Sequence, residues 1–426
     1  MNVKVETYGC TRNRADGAII EDLLEKNGYK LKNDANNVII NTCAVKGRTI
    51  NRMRSRIKEL VKNKEIVIVA GCLPSIRIEA IDGRVDGIID VNNIDKVVEV
   101  LEEIESSSDV GVVRYLDDNR VSSDSICKLD FSRDHTVGST SVVPIGEGCL
   151  GSCTFCATKF ARGTLKSYDP DKVYNKVSKL VNNGYKEIQL TSEDTGAYGK
   201  DIDHNLPGLL SDLVGIEGKF RIRVGMMNPD QVMPFLDELV EVFKSSKIYN
   251  FLHLPLQSGD DDTLSSMRRK YSVNEFKEIV GAFRKGLNDL YLSTDVIVGY
   301  PTETEEDFER TVEVLEGIKP NNVNVSKFFP HKGTDAYQLD NRVPSEVTKE
   351  RTKKLADLRM QISEENNKKY LGEVKEILVT KEGKKGKGNY IGRLNNYTPV
   401  IVRDNKIGEF IEREIKEAKS TYIKTF

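Results

Sequence analysis

The sequence predicts a multidomain α/β protein, and three changes of pattern along the chain support this prediction. Strand and helix patterns alternate in residues 1–105, which predicts an N-terminal doubly wound parallel sheet. Six further strand–helix units in residues 141–366 predict a central partial, TIM-like (βα)6 barrel, because right-handed crossovers cover one face of a parallel sheet. Short alternating strands in residues 367–426 predict a small antiparallel β-barrel.

The N-terminal unit is predicted from short β-branched runs that are separated by helical patterns. Its predicted strands are Asn2–Thr7, Asn37–Thr42 and Ile66–Ala70, and its predicted helices are Asn13–Lys26 and Gly47–Lys62. Residues 106–140 contain two runs rich in serine and aspartate and show no clear apolar period. We therefore expect a linker there.

The central unit repeats the same alternation over a longer stretch. Its predicted strands are Ser141–Ile145, Glu187–Thr191, Phe220–Val224, Asn250–Leu254, Tyr291–Val298 and Asn322–Phe329. Its predicted helices are Lys172–Asn183, Gln231–Lys244, Val273–Gly286, Thr304–Gly317 and one long charged helix, Ser345–Asn366. We expect this last helix, which we call the strap, to pack on the barrel and connect it to the C-terminal unit.

Charge is unevenly distributed along the chain. The whole sequence has 64 basic and 66 acidic residues, and its net charge of -2 excludes a wholesale polycation. Residues 367–426 contain 14 basic and 8 acidic residues, so this unit carries +6 and the remainder −8. Such an asymmetry indicates a polyanion contact. The candidate contacts are the lysines of one glycine-rich turn, for which a solvated charged turn is the alternative: Lys384, Lys385 and Lys387.

Composition limits the class of protein. Hydrophobic residues make up 38% of the chain, which is too many for a disordered protein. No run of 18 apolar residues and no secretory signal are visible, so we expect no membrane association and a cytoplasmic location. Seven cysteines in a chain without an export signal suggest metal ligation rather than a disulfide framework.

Three cysteines directly follow the first predicted barrel strand, at Cys149, Cys153 and Cys156. Three thiolates at this spacing can hold one cubane iron–sulfur cluster and leave its fourth iron without a protein ligand. The alternative is a structural zinc site, which requires a fourth ligand nearby, and His135 is a weak candidate for it.

Three other cysteines each lie just beyond a predicted N-terminal strand, at Cys10, Cys43 and Cys72. Because the ends of parallel strands share one edge of the sheet, these thiols can converge although about 30 residues separate each from the next. The alternative is three unrelated buried cysteines. Cys127 has no such context, and we interpret it as incidental.

The C-x3-C-x2-C run, with Phe155 before its last cysteine, resembles the radical S-adenosylmethionine superfamily. The resemblance implies a [4Fe-4S] cluster whose open iron chelates S-adenosylmethionine. One-electron reduction of the sulfonium then releases a 5′-deoxyadenosyl radical. It also implies that Phe155 packs near the adenine, with ordinary core packing as the alternative.

The whole chain is similar to the methylthiotransferase family, which joins an N-terminal cluster domain, a radical S-adenosylmethionine domain and a C-terminal TRAM domain. The matching N-terminal strings are YGC (8–10) with Asn13 and Asp16, NTCAV (41–45) and GCLP (71–74). Further strings resemble the archaeal and eukaryotic branch, which modifies N6-threonylcarbamoyladenosine at tRNA position 37: TSEDTGAYG (191–199), ARG (161–163), RVGMMNP (223–229), HLPLQSG (253–259) and DVIVGYPTETE (295–305). One departure is His331-Lys332, where the family usually has Arg-Pro.

These strings lie at the C-terminal ends of predicted barrel strands, which is where the active site of a barrel lies. Glu193 is expected to accept a hydrogen bond from the amino group of S-adenosylmethionine, or alternatively to cap a helix. Arg223 would pair with a carboxylate or phosphate, or lie buried against Asp295. We interpret His253 as a structural barrel histidine. Three further residues are expected at the ribose, the carboxylate or the adenine: Gln257, Ser258 and Gly299.

The resemblance implies a division of labour between two [4Fe-4S] clusters. The N-terminal cluster would carry the sulfur, and the barrel cluster with S-adenosylmethionine would supply the radical that attacks C2 of adenine. The C-terminal unit would bind the anticodon arm of the tRNA. An electron donor and a sulfur donor are required, and both remain unidentified. The alternatives are a ribosomal-protein side chain or an isopentenyl-type adenosine-37 as the target, and a non-enzymatic, zinc-dependent RNA-binding protein.

Overall fold

The N-terminal region is a sheet of six parallel strands in the order β2-β1-β3-β4-β5-β6. The computed structural model describes residues 1–106, 111–116, 127–131, 133–384 and 386–426. The strands are β1 (Asn2–Thr7), β2 (Lys30–Leu31), β3 (Asn37–Thr42), β4 (Ile66–Gly71), β5 (Gly87–Asp90) and β6 (Val113–Tyr115). The helices are α1 (Thr11–Lys26), α2 (Gly47–Asn63), α3 (Cys72–Arg77) and α4 (Val97–Ser106), with 3-10 turns at Ile78–Ala80 and Ile94–Lys96.

Two features of this sheet differ from the sequence prediction. Strands β5 and β6 and helix α4 extend the sheet beyond the three predicted strand–helix units. Strand β6 lies within residues 106–140, so part of the expected linker belongs to the N-terminal sheet. Its three residues are too few to show a strand period, and pairing with β5 decides their conformation.

The central region confirms the predicted partial barrel. Its six parallel strands follow one another in chain order: β8 (Thr140–Pro144), β11 (Glu187–Thr191), β12 (Arg221–Arg223), β13 (Phe251–His253), β14 (Tyr291–Val298) and β15 (Asn322–Lys327). A parallel bridge from Met226 to His253 connects β12 with β13 and makes the curved row continuous. The short strands β7 (Thr136–Val137), β9 (Gly146–Glu147) and β10 (Lys166–Ser167) flank the first barrel strand.

Helices follow the barrel strands, and all but the first, which packs against α3 of the N-terminal region, surround the barrel. They are α5 (Thr158–Arg162), α6 (Pro170–Asn182), α7 (Leu206–Val214), α8 (Pro229–Val232), α9 (Leu236–Phe243), α10 (Asp261–Ser266), α11 (Val273–Gly286) and α12 (Glu305–Ile318), with 3-10 turns at Thr195–Ala197, Met233–Phe235 and Asp335–Tyr337. The predicted helix Gln231–Lys244 is divided at Pro234, because proline has no N–H to continue the helical ladder. No helix in the described ranges has both the length and the apolar character that a membrane span requires.

The C-terminal region is a curled sheet of six strands. They are β16 (Val374–Glu382), β17 (Tyr390–Arg393), β18 (Pro399–Val402), β19 (Phe410–Glu414), β20 (Glu417–Ala418) and β21 (Ile423–Lys424). All pairs are antiparallel except β18 with β21, which run parallel because the β20–β21 hairpin returns the chain in that direction. This sheet packs on the end of the barrel where the strands begin, and there Tyr397 donates to Glu187.

The predicted strap is helix α13 (Ser345–Lys368), which crosses the end of β14. At the contact Gly299 has a φ of 75°, and a Cβ atom there would lie 2.5 Å from the Thr348 hydroxyl oxygen. Gly299 therefore permits the close approach of α13, which gives a packing reason for a glycine here. Its expected place beside an adenine stays a prediction.

We expect Gly299→Ala to destabilise the protein by about 1–3 kcal/mol, because it adds both a strained left-handed alanine and a clash with Thr348. The midpoint of thermal unfolding measures this. Gly317→Ala is the matched control, because Gly317 lies in α12 with no atom within 4 Å of its added Cβ. This control should stabilise by about 0.5–1 kcal/mol. A Gly299→Ala protein that melts at the wild-type temperature would contradict the packing argument.

Candidate active site

The first three cysteines lie at one edge of the N-terminal sheet. Cys10 caps the start of α1 after β1, Cys43 follows β3, and Cys72 begins α3 after β4. The three strands are neighbours in parallel register, with Thr7 opposite Asn41 and Thr42 opposite Gly71. The fold thus brings the carboxyl ends of these strands, and the three thiols that follow them, to the same edge.

Asn13 on α1 organises this first triad. Its side-chain NH2 donates to the carbonyl oxygens of Tyr8 (3.1 Å) and Thr42 (2.7 Å), which ties together the loops after β1 and β3. Its Oδ1 accepts from the Cys72 thiol at 3.5 Å and lies 3.9 Å from the Cys10 sulfur. One amide therefore contacts two of the three thiols and the loop that carries the third.

The second triad lies on the loop between β9 and α5. The Gly151 N–H donates to the Cys149 sulfur at 3.2 Å, and the Arg269 guanidinium donates to the Cys153 sulfur at 3.1 Å. The Cys156 N–H donates to the Cys153 carbonyl oxygen at 3.1 Å, which closes the loop. Such donors stabilise thiolate ligands and clusters held by them.

Cys43 and Cys72 are buried and the three barrel cysteines are half-buried, whereas Cys10 is exposed. Burial raises the pKa of Cys72 to about 12 and that of Cys149 to about 12, and it also raises the pKa of Cys43. These thiols are protonated when no metal is bound, so loading a metal must release protons. Thiols with hydrogen-bond donors beside them fit an iron–sulfur cluster held by three cysteines.

A single metal ion fits the arrangement less well. Among the described residues, no three His, Cys, Asp or Glu side chains converge closely enough to hold one metal ion. A tetrahedral zinc ion needs four ligands within about 2.3 Å, whereas a four-iron cube accepts thiols spaced further apart. The donor set therefore favours clusters over the zinc alternative.

The two triads open onto adjoining cavities of about 910 and 520 Å³. The first holds the N-terminal cysteines and the second holds the barrel cysteines. The residues that line both cavities are Cys10, Val45, Thr158, Arg162 and Glu193. Helix α5, which follows Cys156, packs against α3, which begins at Cys72, so the two cysteine regions face each other.

A buried ionic network lies between the triads. Arg162, at the end of α5, contacts Asp16 (2.6 Å), Glu193 (3.6 Å) and the Cys72 sulfur (3.8 Å). Although burial raises it, the pKa of Asp16 is held well below its usual range by Arg162. The full network contains three basic and three acidic side chains: Arg12, Lys128, Arg162, Asp16, Glu147 and Glu193.

The sequence analysis did not predict this network. Asp16 and Arg162 occur within the motif strings, but the strings do not include Arg12, Lys128 or Glu147. The usable signal was the group of polar residues at the start of α1, where Arg12, Asn13 and Asp16 are all buried. Their partners could not be identified from sequence because Lys128, Glu147, Arg162 and Glu193 come from separate segments.

The predicted S-adenosylmethionine contacts divide into two groups. Phe155, Glu193, Arg223 and Gln257 line the barrel cavity. Ser258 does not: it is 1% exposed, and its hydroxyl oxygen lies 3.5 Å from the Thr311 hydroxyl on α12. The expected contact of Ser258 with a ribose or carboxylate is therefore corrected, because the turn after β13 directs this side chain outward into α12.

Arg223 lies against aromatic rings rather than against Asp295, and its expected pairing with a carboxylate or phosphate stays a prediction. Its guanidinium carbon lies 4.8 Å from the ring centre of Phe251 and 5.8 Å from that of Tyr397, a cation–π arrangement. Burial lowers its pKa. The carboxylate of Asp295 instead accepts a hydrogen bond from His253 Nε2 at 2.6 Å. This contact is consistent with a structural role for His253 in the barrel.

The loop with the His331-Lys332 departure contacts the N-terminal region. His331 is buried, and its Nε2 donates to the carbonyl oxygen of Val45 at 3.1 Å, next to Cys43. Burial lowers the pKa of His331, so the charge of the usual arginine is not kept at this position. Lys384 and Lys387 are exposed on the β16–β17 turn, whereas Lys385 lies outside the described residues.

We expect Arg162→Ala to lower the free energy of unfolding by about 3–5 kcal/mol, because it leaves buried carboxylates without a counter-charge. The urea midpoint of the metal-free protein measures this. Arg84→Ala is the control: its pair with Asp82 is at the surface, where the side chain of Arg84 is 61% exposed, so its midpoint should not change. Equal shifts in both variants would contradict the role of the network.

Three family descriptions match successive parts of this chain. The Uncharacterized protein family UPF0004 matches residues 2–89, the Radical SAM superfamily residues 143–315, and the TRAM domain residues 368–424. The structure is similar to that of the radical S-adenosylmethionine methyltransferase TsrM from Kitasatospora setae, with a TM-score of 0.58 over 79% of this chain and 74% of that chain. At 14% identity, this likeness shows the shared fold alone.

Two curated relatives match almost the whole chain. A probable threonylcarbamoyladenosine tRNA methylthiotransferase of Pyrococcus abyssi is 46% identical over 99% of this chain and 98% of its own length. The threonylcarbamoyladenosine tRNA methylthiotransferase of Homo sapiens is 35% identical over 99% of this chain and 73% of its own length. The chain therefore belongs to the family of threonylcarbamoyladenosine tRNA methylthiotransferases, which are radical S-adenosylmethionine enzymes.

Proposed function

We propose that this protein inserts a methylthio group at C2 of N6-threonylcarbamoyladenosine-37 of tRNA, using two [4Fe-4S] clusters and S-adenosylmethionine. The six cysteines Cys10, Cys43, Cys72, Cys149, Cys153 and Cys156 are the proposed cluster ligands. The threonylcarbamoyl target is supported by the names of the relatives.

One observation carries the proposal, namely that two cysteine triads open onto adjoining cavities with shared walls. A methylthio transfer needs both a sulfur carrier and a radical source within reach of one substrate atom. A protein with a single cluster would not need the second set of three thiols at the edge of another domain.

The chemistry explains why the reaction needs no general acid–base pair. The C2–H bond of an adenine is unactivated, and no side-chain base removes this hydrogen near neutral pH, so hydrogen abstraction by a radical is required. When bound, the barrel cluster with S-adenosylmethionine would supply that radical, and the N-terminal cluster would supply the sulfur.

The residues of the chain bind, orient and shield the reactants. Glu193 is the proposed acceptor for the amino group of S-adenosylmethionine, because its Oε2 is buried and has no hydrogen-bond partner among the described residues. Phe155 and Gln257, in the same cavity, would contact the adenosine part. The loop with His331 contacts Val45, two residues after Cys43, and would limit the access of water to that thiol.

The C-terminal region is the proposed contact for the anticodon arm. Lys384 and Lys387 project from the β16–β17 turn, and Lys385 lies between them in the sequence. Their charges would neutralise phosphates without reading the base sequence. With tRNA as its substrate, we expect the protein to act in the cytoplasm with an electron donor and a sulfur donor that are not yet identified.

We expect Cys153→Ala to abolish cleavage of S-adenosylmethionine, whereas Cys43→Ala should keep cleavage and lose methylthio transfer. Anaerobically reconstituted wild type should hold about eight irons, and each variant should hold about four. Cys127→Ala is the matched control and should behave as wild type. Iron analysis and 5′-deoxyadenosine release measure these outcomes. Equally poor cleavage by both triad variants would contradict the division of labour.

We expect the nucleosides of tRNA from a deletion strain to lack the methylthio derivative of threonylcarbamoyladenosine. Mass spectrometry of digested tRNA measures this loss, and the reintroduced gene should restore the nucleoside. An unchanged nucleoside in the deletion strain would refute the tRNA target. Loss of methylthio-isopentenyladenosine instead, or of a methylthio group from a ribosomal protein, would identify one of the alternative targets.

We expect the double variant Lys384→Ala/Lys387→Ala to weaken tRNA binding and to reduce the slope of log affinity against log salt by about 1–2. Fluorescence anisotropy at several potassium chloride concentrations measures both. Lys26→Ala, at the far end of α1, is the control and should keep the wild-type slope. An unchanged slope in the double variant would indicate that the lysines of this turn are solvated and do not contact RNA phosphates.

A further inference from the structure

A small basic cleft lies where all three regions of the chain meet. Its basic residues are Arg14 from α1, His135 before β7, Lys381 from β16 and Arg393 from β17. The cleft has a volume of about 70 Å³. This is room for roughly five waters, or for one small anionic group, but not for a nucleobase.

Backbone contacts fix the walls of this cleft. The Ser139 N–H donates to the Thr380 carbonyl oxygen at 2.9 Å, which holds β16 beside the β7–β8 hairpin. The buried Ser139 hydroxyl lies 3.3 Å from the same oxygen. The Val142 N–H donates to the His135 carbonyl oxygen at 3.1 Å. His135 and Lys381 are therefore held near each other by the fold.

Basic side chains outnumber acidic ones among the described residues that line the cleft. In the described part of the chain, Arg14 and Lys381 form no ion pair. The acidic residue of the lining, Glu187, is 2% exposed and already accepts hydrogen bonds from Gln189 (2.6 Å) and Tyr249 (3.1 Å). Arg14, Lys381 and Arg393 thus face one carboxylate that already has hydrogen-bond partners.

The titration behaviour agrees with this imbalance. Burial, Arg393 and Arg14 together lower the pKa of Lys381, and Glu187 only partly opposes them. Burial and Arg14 lower the pKa of His135. Mutual repulsion of this kind is relieved when an anion binds among the basic groups.

We propose that this cleft binds a backbone phosphate of the tRNA substrate, with Arg14, Lys381 and Arg393 as its ligands. This inference rests on the proposed function and adds a specific contact to it. The RNA would thereby be held by residues from the N-terminal and C-terminal regions at once, in addition to the β16–β17 turn.

The position of the cleft suits such a contact. Thr11, the first residue of α1, lines both the cleft and the barrel cavity. Arg14 is one helical turn further on, or about 5 Å along the helix axis. A strand whose base enters the cysteine cavity would pass the cleft, and a phosphate clamp there would fix the position of that base.

The test compares tRNA binding by the reconstituted wild type, Arg14→Gln/Lys381→Gln and Arg14→Lys/Lys381→Arg. Affinity is measured by fluorescence anisotropy at several potassium chloride concentrations. The glutamine pair should bind about 10- to 100-fold more weakly, with a salt slope smaller by about 2. The charge-conserving pair should keep most of the affinity and the wild-type slope. Lys26→Gln on the same helix is the control and should match wild type.

The outcomes separate this inference from the proposed function. If wild type does not bind tRNA, the tRNA substrate itself is refuted. If wild type binds and the glutamine pair keeps its affinity and slope, the phosphate clamp is refuted. Should the pair fail to fold, the single variant Arg14→Gln, at an exposed position, should lose about one unit of slope. Saturable calorimetric binding of inorganic phosphate alone, with no effect of the glutamine pair on tRNA, would assign the cleft to a free anion and overturn the proposal.

Discussion

The buried guanidinium of Arg162 holds together the two halves of this site. Arg162 lies on α5 of the barrel region. Its guanidinium contacts Asp16 of the N-terminal region at 2.6 Å, and Glu193, at the end of a barrel strand, lies 3.6 Å away. Charges removed from water are costly unless they are paired. Because the partners belong to different regions, the charges are neutralised only when these regions are docked in one arrangement. The relative position of the two cysteine triads follows from that requirement.

Apolar packing reinforces the same arrangement. Ala157 and Ala161 flank the barrel's cysteine loop, yet they are buried in the core of the N-terminal sheet with residues such as Ile57 and Val69. The barrel therefore supplies part of the core of its neighbour. Helix α5 consequently has a fixed orientation, and Cys156, two residues before it, lines the same cavity as Cys10.

Much of the fold and the two cysteine sets of the site could be predicted, because strand patterns and cysteine spacing are local features of the sequence. Every predicted strand of the first two regions is present, since β-branched runs bounded by turns identify buried parallel strands. Strand β6 was missed because three residues carry no period. Ser258 was placed at the ligand because its string ends a barrel strand, but side-chain direction is not a local property, and neither is the packing of α13 on Gly299.

By itself, the sequence determined that the chain has three regions, that six cysteines form two sets of three, and that the last region is basic. These are properties of spacing and composition. Only the tertiary structure decided that the triads share cavity walls, that Arg162 neutralises Asp16 between them, and that Arg14 and Lys381 meet in one cleft. Contacts between segments hundreds of residues apart depend on how completed sheets dock, and no short run of residues encodes that docking alone.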